Sequence, residues 1–306
     1  MNIMKKLIQQ IDQLESPIVA GLDTTIAMIP DSMKKIFFEE YEQTPKAVSM
    51  MLTDYNRIII DSIYDLVPSV KIQIAMYEKY GIDGLTAYNE TASYAKSKGL
   101  IVMGDIKRGD IGSTADAYTA HLVGTEIQGK IVQTWNEDII TVNPYLGKDS
   151  LEPFVNGCVK SKKACFILVK TSNPGSADIQ DLIAENQDKT IYEVVGQMVA
   201  NLGEKFTDDT GYNPIGAVVG ATHKDIGAKL RKQMPHTFFL VPGYGAQGAT
   251  AEDLKGFFDK DKRGSIVNSS RGIIANWKKD DKYDENNIGD AARDAVISMK
   301  KELGNI

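Results

Sequence analysis

Eight short apolar runs recur along the chain, each closing in polar or glycine-rich residues, and this recurrence narrows the possible folds more than any other feature. They occupy residues 18–23, 69–73, 100–107, 139–143, 165–170, 215–220, 238–242 and 265–268. Most are continuous rather than alternating, as parallel strands covered on both faces should be. The segments between them, such as 83–98 and 191–206, are long enough for a helix and its loops, and 30–66 has room for two helices. Eight strand–helix repeats within about 250 residues predict an α/β fold of the (β/α)8, or TIM, barrel type. A doubly wound open sheet is the alternative.

Nothing interrupts the pattern as a linker would. The charged stretches 204–209 and 278–287 read as solvated loops, and no Pro/Ser-rich or low-complexity tract is present. Ile3, Leu7, Ile11 and Leu14 fall at helical spacing, which predicts an amphipathic helix covering one end of the fold. Residues 1–306 therefore read as a single barrel domain with an N-terminal covering helix. No apolar run approaches the roughly 20 residues that span a bilayer, and the start of the chain lacks a signal-peptide core. The expected home is the cytoplasm, with no membrane partner.

Composition excludes several function classes. Cys158 and Cys165, the only cysteines, have no metal-binding or CxxC spacing and read as buried thiols. His121, His223 and His236 lie far apart, which argues against a His-based metal site or a Ser-His-Asp triad. A formal net charge of −6 argues against a nucleic-acid partner and requires a locally positive pocket for any anionic ligand.

Catalytic groups of such barrels lie at the C-terminal ends of the strands. Those ends carry Asp23, Lys71, Asp105 with Lys107, Asn143, Ser172, Thr222, Gln247 and Arg271. Strand alternation predicts that Asp105 and Lys107, within "GDIKRGD", share a face. Lys71 sits on the neighbouring strand, and Asp110 follows past Gly109, so an alternating Lys71–Asp105–Lys107–Asp110 array is geometrically possible. Two bare carboxylates about 4 Å apart repel by roughly 4 kcal/mol, and interleaved lysines remove that cost. The bland reading is a surface ion-pair network of little worth.

"GYGAQG", residues 243–248, matches a dinucleotide fingerprint, but only 58 residues follow Gly248, too few for that fold. A glycine-rich phosphate cradle including Gly245 and Gly248 fits better, with Thr250 and Asp253 capping the next helix. Arg271, just after the eighth run, suits bidentate anion contacts. The competing reading is a plain turn beside a surface arginine. In "KTSNPGS", residues 170–176, Ser172 and Asn173 either read a heterocycle edge or shape a turn.

Asp105-x-Lys107-x-x-Asp110-Ile111-x-x-Thr114 resembles the signature of the orotidine 5′-phosphate decarboxylase family. The likeness extends to Asp23, Lys71, Gln247 and Arg271, covers roughly residues 15–300, and points through "DIKRGDIGST" and "KTSNPGS" to the longer bacterial branch. It implies decarboxylation of orotidine 5′-monophosphate to UMP without metal or organic cofactor. Lys107 would protonate C6, Asp105 would lie against the substrate carboxylate, and Lys71 and Asp23 would contact the ribose. Ser172 would bond the pyrimidine, and Gln247 and Arg271 would hold the phosphate. Asp110 and Thr114 would reach the site of a second subunit, making a homodimer with shared active sites. A magnesium-dependent sugar-phosphate decarboxylase of the same superfamily and a non-catalytic nucleotide-binding barrel are the alternatives.

Overall fold

A computed structural model describes every residue except Asn186, Ala246, Gln247, Asn305 and Ile306. Eight strands, β1 (Ile18–Gly21), β2 (Ser69–Gln73), β3 (Ile101–Arg108), β4 (Ile139–Val142), β5 (Ala164–Lys170), β6 (Ile215–Val219), β7 (Phe239–Pro242) and β8 (Ser265–Ser269), follow one another in chain order around a closed barrel. Every described pairing among them is parallel. Their Val- and Ile-rich interiors are buried almost throughout, which is why the sequence shows runs rather than alternation.

The main helices are α1 (Ile3–Leu14), α2 (Asp31–Tyr41), α3 (Pro45–Ile63), α4 (Gly81–Ser97), α5 (Gly112–Tyr118), α6 (Lys148–Ser161), α7 (Ile191–Gly203), α8 (Lys224–Gln233) and α9 (Ile288–Gly304). Local chemistry sets several of their starts. Thr44 Oγ1 accepts from Ala47 N ahead of Pro45, which opens α3. Thr190 N donates to Glu193 Oε2 at 3.0 Å in a capping box that opens α7. On α1 the buried face runs through Met4, Leu7, Ile8 and Ile11, while Ile3 and Leu14 stay half-buried. Residues 30–66 hold two helices, as their length predicts. Cys158 and Cys165 are both buried free thiols, and burial pushes the Cys158 thiol well above its usual range.

The chain divides into two compact units. One contains Ile11–Ile106 and Ser269–Gly304. Here β2 pairs with β1 on one side and β3 on the other, with Gln73 directly opposite Asp105. The other unit contains Met1–Gln10 and Lys107–Asn268. Its strands β4 to β8 pair in order, with a register shift between Val218 and Val219 against β5. Arg231 of α8 is buried there over the Phe239 ring and donates to the carbonyls of Phe257, Met234, Thr237 and Gly264. Desolvation lowers its pKa to about 10.

Two small hairpins escape the sequence pattern: Thr125–Ile127 with Lys130–Val132, and Ile183–Ala184 with Lys189–Thr190. Strands of two or three residues with little or no burial leave no periodic signal. The 204–209 stretch, expected as loop, begins with a 3₁₀ turn, Glu204–Phe206. Among the described residues no helix is long and apolar enough to cross a membrane.

Candidate active site

Asp23, Lys71 and Asp105 are brought together inside the first of these units. Lys71 Nζ lies 2.8 Å from Asp105 Oδ2 and 3.3 Å from Asp23 Oδ1. The register places Gln73, not Lys71, level with Asp105. Lys71 lies two residues lower on β2, and its four-methylene stem covers the roughly 6.6 Å of rise. Lys71 and Asp105 are almost wholly buried, at 4% and 7% exposure, so neither belongs to a solvated surface network. Burial alone would discharge the ammonium, but the combined attraction of Asp105 and Asp23 outweighs it and holds the pKa above its ordinary value. Lys71 is a fixed cation.

Gln73, which the sequence reading passed over, donates from Nε2 to the same Asp105 Oδ2 at 3.0 Å. Two donors on one oxygen fix the carboxylate's orientation. Asp23 follows β1 on a segment held by its backbone. Leu22 N donates to Lys71 O, Tyr77 Oη to Leu22 O, and Thr24 Oγ1 to Asn56 Oδ1. Asn56 completes the network by donating to Tyr77 Oη and Thr91 Oγ1. All four side chains are fully buried. A lone Asn in an apolar helix pattern is the only hint the sequence carries of this support.

Lys107 does not keep the extended backbone that the strand-alternation argument assumes. Its φ is +46°, in the left-handed region, so alternation beyond Ile106 no longer dictates its direction. The residue is exposed, whereas Asp105 is buried. Such a conformation costs a non-glycine residue about 1–3 kcal/mol and needs support from around it. Part of that support comes from Thr141, whose buried Oγ1 accepts from Lys107 N at 2.9 Å, and from Asn143 N donating to Arg108 O. Gly109 passes so close to Asn143 that a Cβ there would lie 2.9 Å from the Asn143 carbonyl oxygen.

Beyond this turn Asp110 is half-buried and accepts from Ile111 N at 2.8 Å. Ile111 is 57% exposed, and Thr114 is exposed on α5. Ser172 is half-buried just after β5. Gly220 lies beneath it, where a Cβ would come within 2.8 Å of the Ser172 Cα. Thr222 is exposed.

The glycine-rich loop departs from the cradle expected of it. Gly245 (φ +68°) and Gly248 (φ +91°) take conformations suited to glycine, but their amides donate within the loop, to Ala249 O and Gly245 O. Thr250 and Asp253 do form a cap, with Thr250 N and Oγ1 both donating to Asp253 Oδ2. The helix that follows is a six-residue 3₁₀ segment, Glu252–Phe257, rather than an α-helix, so its terminal dipole is small. Gln247 lies outside the described residues. Arg271 opens a short helical turn, Arg271–Ile274, whose last carbonyl accepts from the buried Tyr55 hydroxyl. Trp277 Nε1 in turn donates to Tyr55 Oη. The Arg271 side chain is exposed and has no partner among the described residues. Among those residues, too, no group of three or more His, Cys, Asp or Glu is arranged to hold a metal ion.

Comparison with known proteins gives this geometry a context. Residues 47–285 match the model of the orotidine 5′-phosphate decarboxylase / HUMPS family. The chain is 43% identical over 279 residues to orotidine 5′-phosphate decarboxylase of Caldicellulosiruptor saccharolyticus, covering 91% of each chain. It is 40% identical over 302 residues to that of Clostridium tetani, covering 98% of this chain and 97% of the relative. The solved structure of Leishmania donovani OMP decarboxylase superposes with a TM-score of 0.74 at 26% identity, covering 100% of this chain and 98% of that one.

Proposed function

The chain belongs to the orotidine 5′-phosphate decarboxylase / HUMPS family, and from that premise we propose that it turns orotidine 5′-monophosphate into UMP with Lys107 as the proton donor and no metal or organic cofactor. The carboxy-lyase activity and its place in pyrimidine biosynthesis follow from the family and its close relatives. The residue roles are our reading. The bond from C6 to the carboxylate breaks, CO2 leaves, and the electron pair stays on C6. The Lys107 ammonium then gives its proton to that carbon, and solvent reprotonates the amine.

The observation that carries this reading is the cluster of buried Lys71 and Asp105 with half-buried Asp23. A surface ion pair contributes little, and a buried one is often no better than well-packed apolar residues. Such a cluster at the ends of strands makes sense as a preorganised charge field. Asp105 sets negative charge against the substrate carboxylate, and Lys71 and Asp23 take the ribose hydroxyls. The strained φ of Lys107 fits the same picture, since stored backbone strain concentrates at functional sites.

Ser172 bonds the pyrimidine edge. Gln247 and Arg271, which has no partner among the described residues, hold the phosphate, with the loop through Gly245 and Gly248 alongside. Because both glycine amides are used inside the loop, the Arg271 guanidinium is the stronger anion ligand. Asp110 and Thr114 serve the site of a second subunit. The exposure of Ile111 and Thr114 supports that role. The chain thus acts as a cytoplasmic homodimer of single-domain barrels.

The family model's description also takes in HUMPS, so a magnesium-dependent sugar-phosphate decarboxylase is the nearest rival. Relatives at 40–43% identity carry the decarboxylase name and favour our reading. The experiment is an ultraviolet assay of the purified protein with orotidine 5′-monophosphate, with and without a strong chelator. Turnover unaffected by chelation supports the proposal. No turnover, or turnover abolished by chelation and restored by magnesium, overturns it.

A further inference from the structure

Lys170, the last residue of β5, is fully buried, yet the chemistry above gives it no task. An unpaired lysine cannot be buried cheaply. Its Nζ lies 2.6 Å from Asp181 Oδ1 and 3.1 Å from Ser176 Oγ, with the Tyr192 ring centroid 5.7 Å away. Both polar partners belong to the excursion 171–190 that leaves β5. Ser176 closes the 3₁₀ turn Pro174–Ser176, and Asp181 follows the helical turn Ala177–Gln180.

Gln180 ties the same excursion back onto its own start. Its Oε1 accepts from Thr171 N at 2.9 Å, and its Nε2 donates to Thr171 Oγ1 at 2.9 Å. His223 Nε2 adds a contact of 3.1 Å to the Thr171 carbonyl. Ser172 sits between these ties. The residues on either side of it are fixed by Gln180, by His223 and by the Thr171 Oγ1 bond to Asn173 Oδ1.

We propose that Lys170, through Asp181, and Gln180, through Thr171, are positioning residues that fix the Ser172 hydroxyl for recognition of the pyrimidine ring. The inference rests on the reading of Ser172 as the ring contact. A buried ammonium suits this task because removing it leaves Asp181 and Ser176 without their common partner, so the whole excursion is freed at once.

The test measures binding of UMP and of ribose 5-phosphate, which lacks the base, to the full-length native protein and to variants. Ser172→Ala, Gln180→Ala and Lys170→Met should each weaken UMP by about tenfold, the worth of one good hydrogen bond, and leave ribose 5-phosphate unchanged. Ser172→Ala added to Gln180→Ala should bring no further loss, since both act through one hydroxyl. Gln180→Glu keeps an acceptor for the Thr171 amide and should recover most of the affinity. Gln180 is half-buried, so its variants keep the proposal testable should Lys170→Met fail to fold.

If Ser172→Ala weakens UMP selectively but Gln180→Ala does not, positioning is refuted while the ring contact stands. Equal losses on both ligands, or fully additive losses, reduce the ties to general stability and refute it as well. If Ser172→Ala changes nothing, the ring contact itself fails, and the positioning role fails with it.

Discussion

Gln73 Nε2 and Lys71 Nζ converge on one oxygen of Asp105, at 3.0 Å and 2.8 Å, from neighbouring positions of the same face of β2. A buried carboxylate held by one neutral and one charged donor cannot rotate freely. Gln73→Glu replaces the neutral donor with a second acid. The two carboxylates then share a site, and like charges raise the pKa of the pair. At neutral pH kcat/KM should fall by roughly 10–100-fold, the scale of a lost charge-assisted bond. As the pH falls the pair takes up a proton, the repulsion eases, and the ratio of variant to native kcat/KM should rise. A ratio independent of pH would show that Gln73 does not act on the Asp105 charge.

Much of this architecture was legible in the sequence, for physical reasons that also mark where reading stops. Strands buried on both faces must be continuous apolar runs, so β1 to β8 could be placed to within a residue or two. Asp23, Lys71 and Asp105 stood out because charge at the end of a buried strand has few structural excuses. Gln73 did not, since a neutral amide at a strand end looks like any turn residue. Lys170 read as the end of an apolar run, because its burial depends on Asp181, eleven residues on and indistinguishable from a surface acid. The turn at Lys107 could not be read, because alternation assumes extended backbone and a positive φ at lysine has no compositional mark. The glycine pattern of 243–248 showed where the backbone bends but not where its amides point.

Arg271→Ala should act mainly on substrates that carry the 5′-phosphate. The exposed guanidinium has no partner among the described residues and sits on a turn fixed by Tyr55, so truncation should leave the fold intact. Loss of a charge-assisted contact costs about 1.5–3 kcal/mol, or roughly 10–150-fold in kcat/KM for the nucleotide. The phosphate-free nucleoside should show little change. Equal losses on both substrates would rule out a phosphate-specific role.

Asp110 permits a test of shared sites. If the protein is a dimer in which Asp110 serves the partner's site, as proposed, Lys107→Ala and Asp110→Ala proteins should each be nearly inactive. Random re-pairing of equal amounts should restore up to about a quarter of native sites, because a mixed dimer collects both lesions in one site and leaves the other whole. Subunits are dissociated first and their exchange is confirmed by mass. Verified mixed dimers without recovered activity would assign Asp110 to its own subunit's site.

The α7 capping box makes a prediction about acid stability. Burial pushes the Glu193 carboxyl upward, but the 2.7 Å link to Lys229 and the two bonds from Thr190 outweigh it and depress the pKa from 4.5 to about 2. A carboxyl depressed in the folded state stabilises the protein above its unfolded pKa, and that contribution disappears as the pH falls through the folded value. Glu193→Gln should therefore lower the urea midpoint most at pH 5 to 7. The gap to the native protein should narrow between about pH 4.5 and pH 2. A gap constant across that range would mean the ionised form contributes nothing.

The central claim concerns Lys107, and its most direct measurement is single-turnover decarboxylation of orotidine 5′-monophosphate by Lys107→Ala, followed by ultraviolet absorbance beside a parallel measurement of UMP binding. Lys107 is exposed at the end of β3, so the variant should fold and bind UMP within a few-fold of native. Its rate should fall by at least the roughly 10²–10⁴-fold that general acid catalysis contributes. Decarboxylation at close to the native rate, with UMP binding intact, would contradict the assignment of Lys107 as the proton donor.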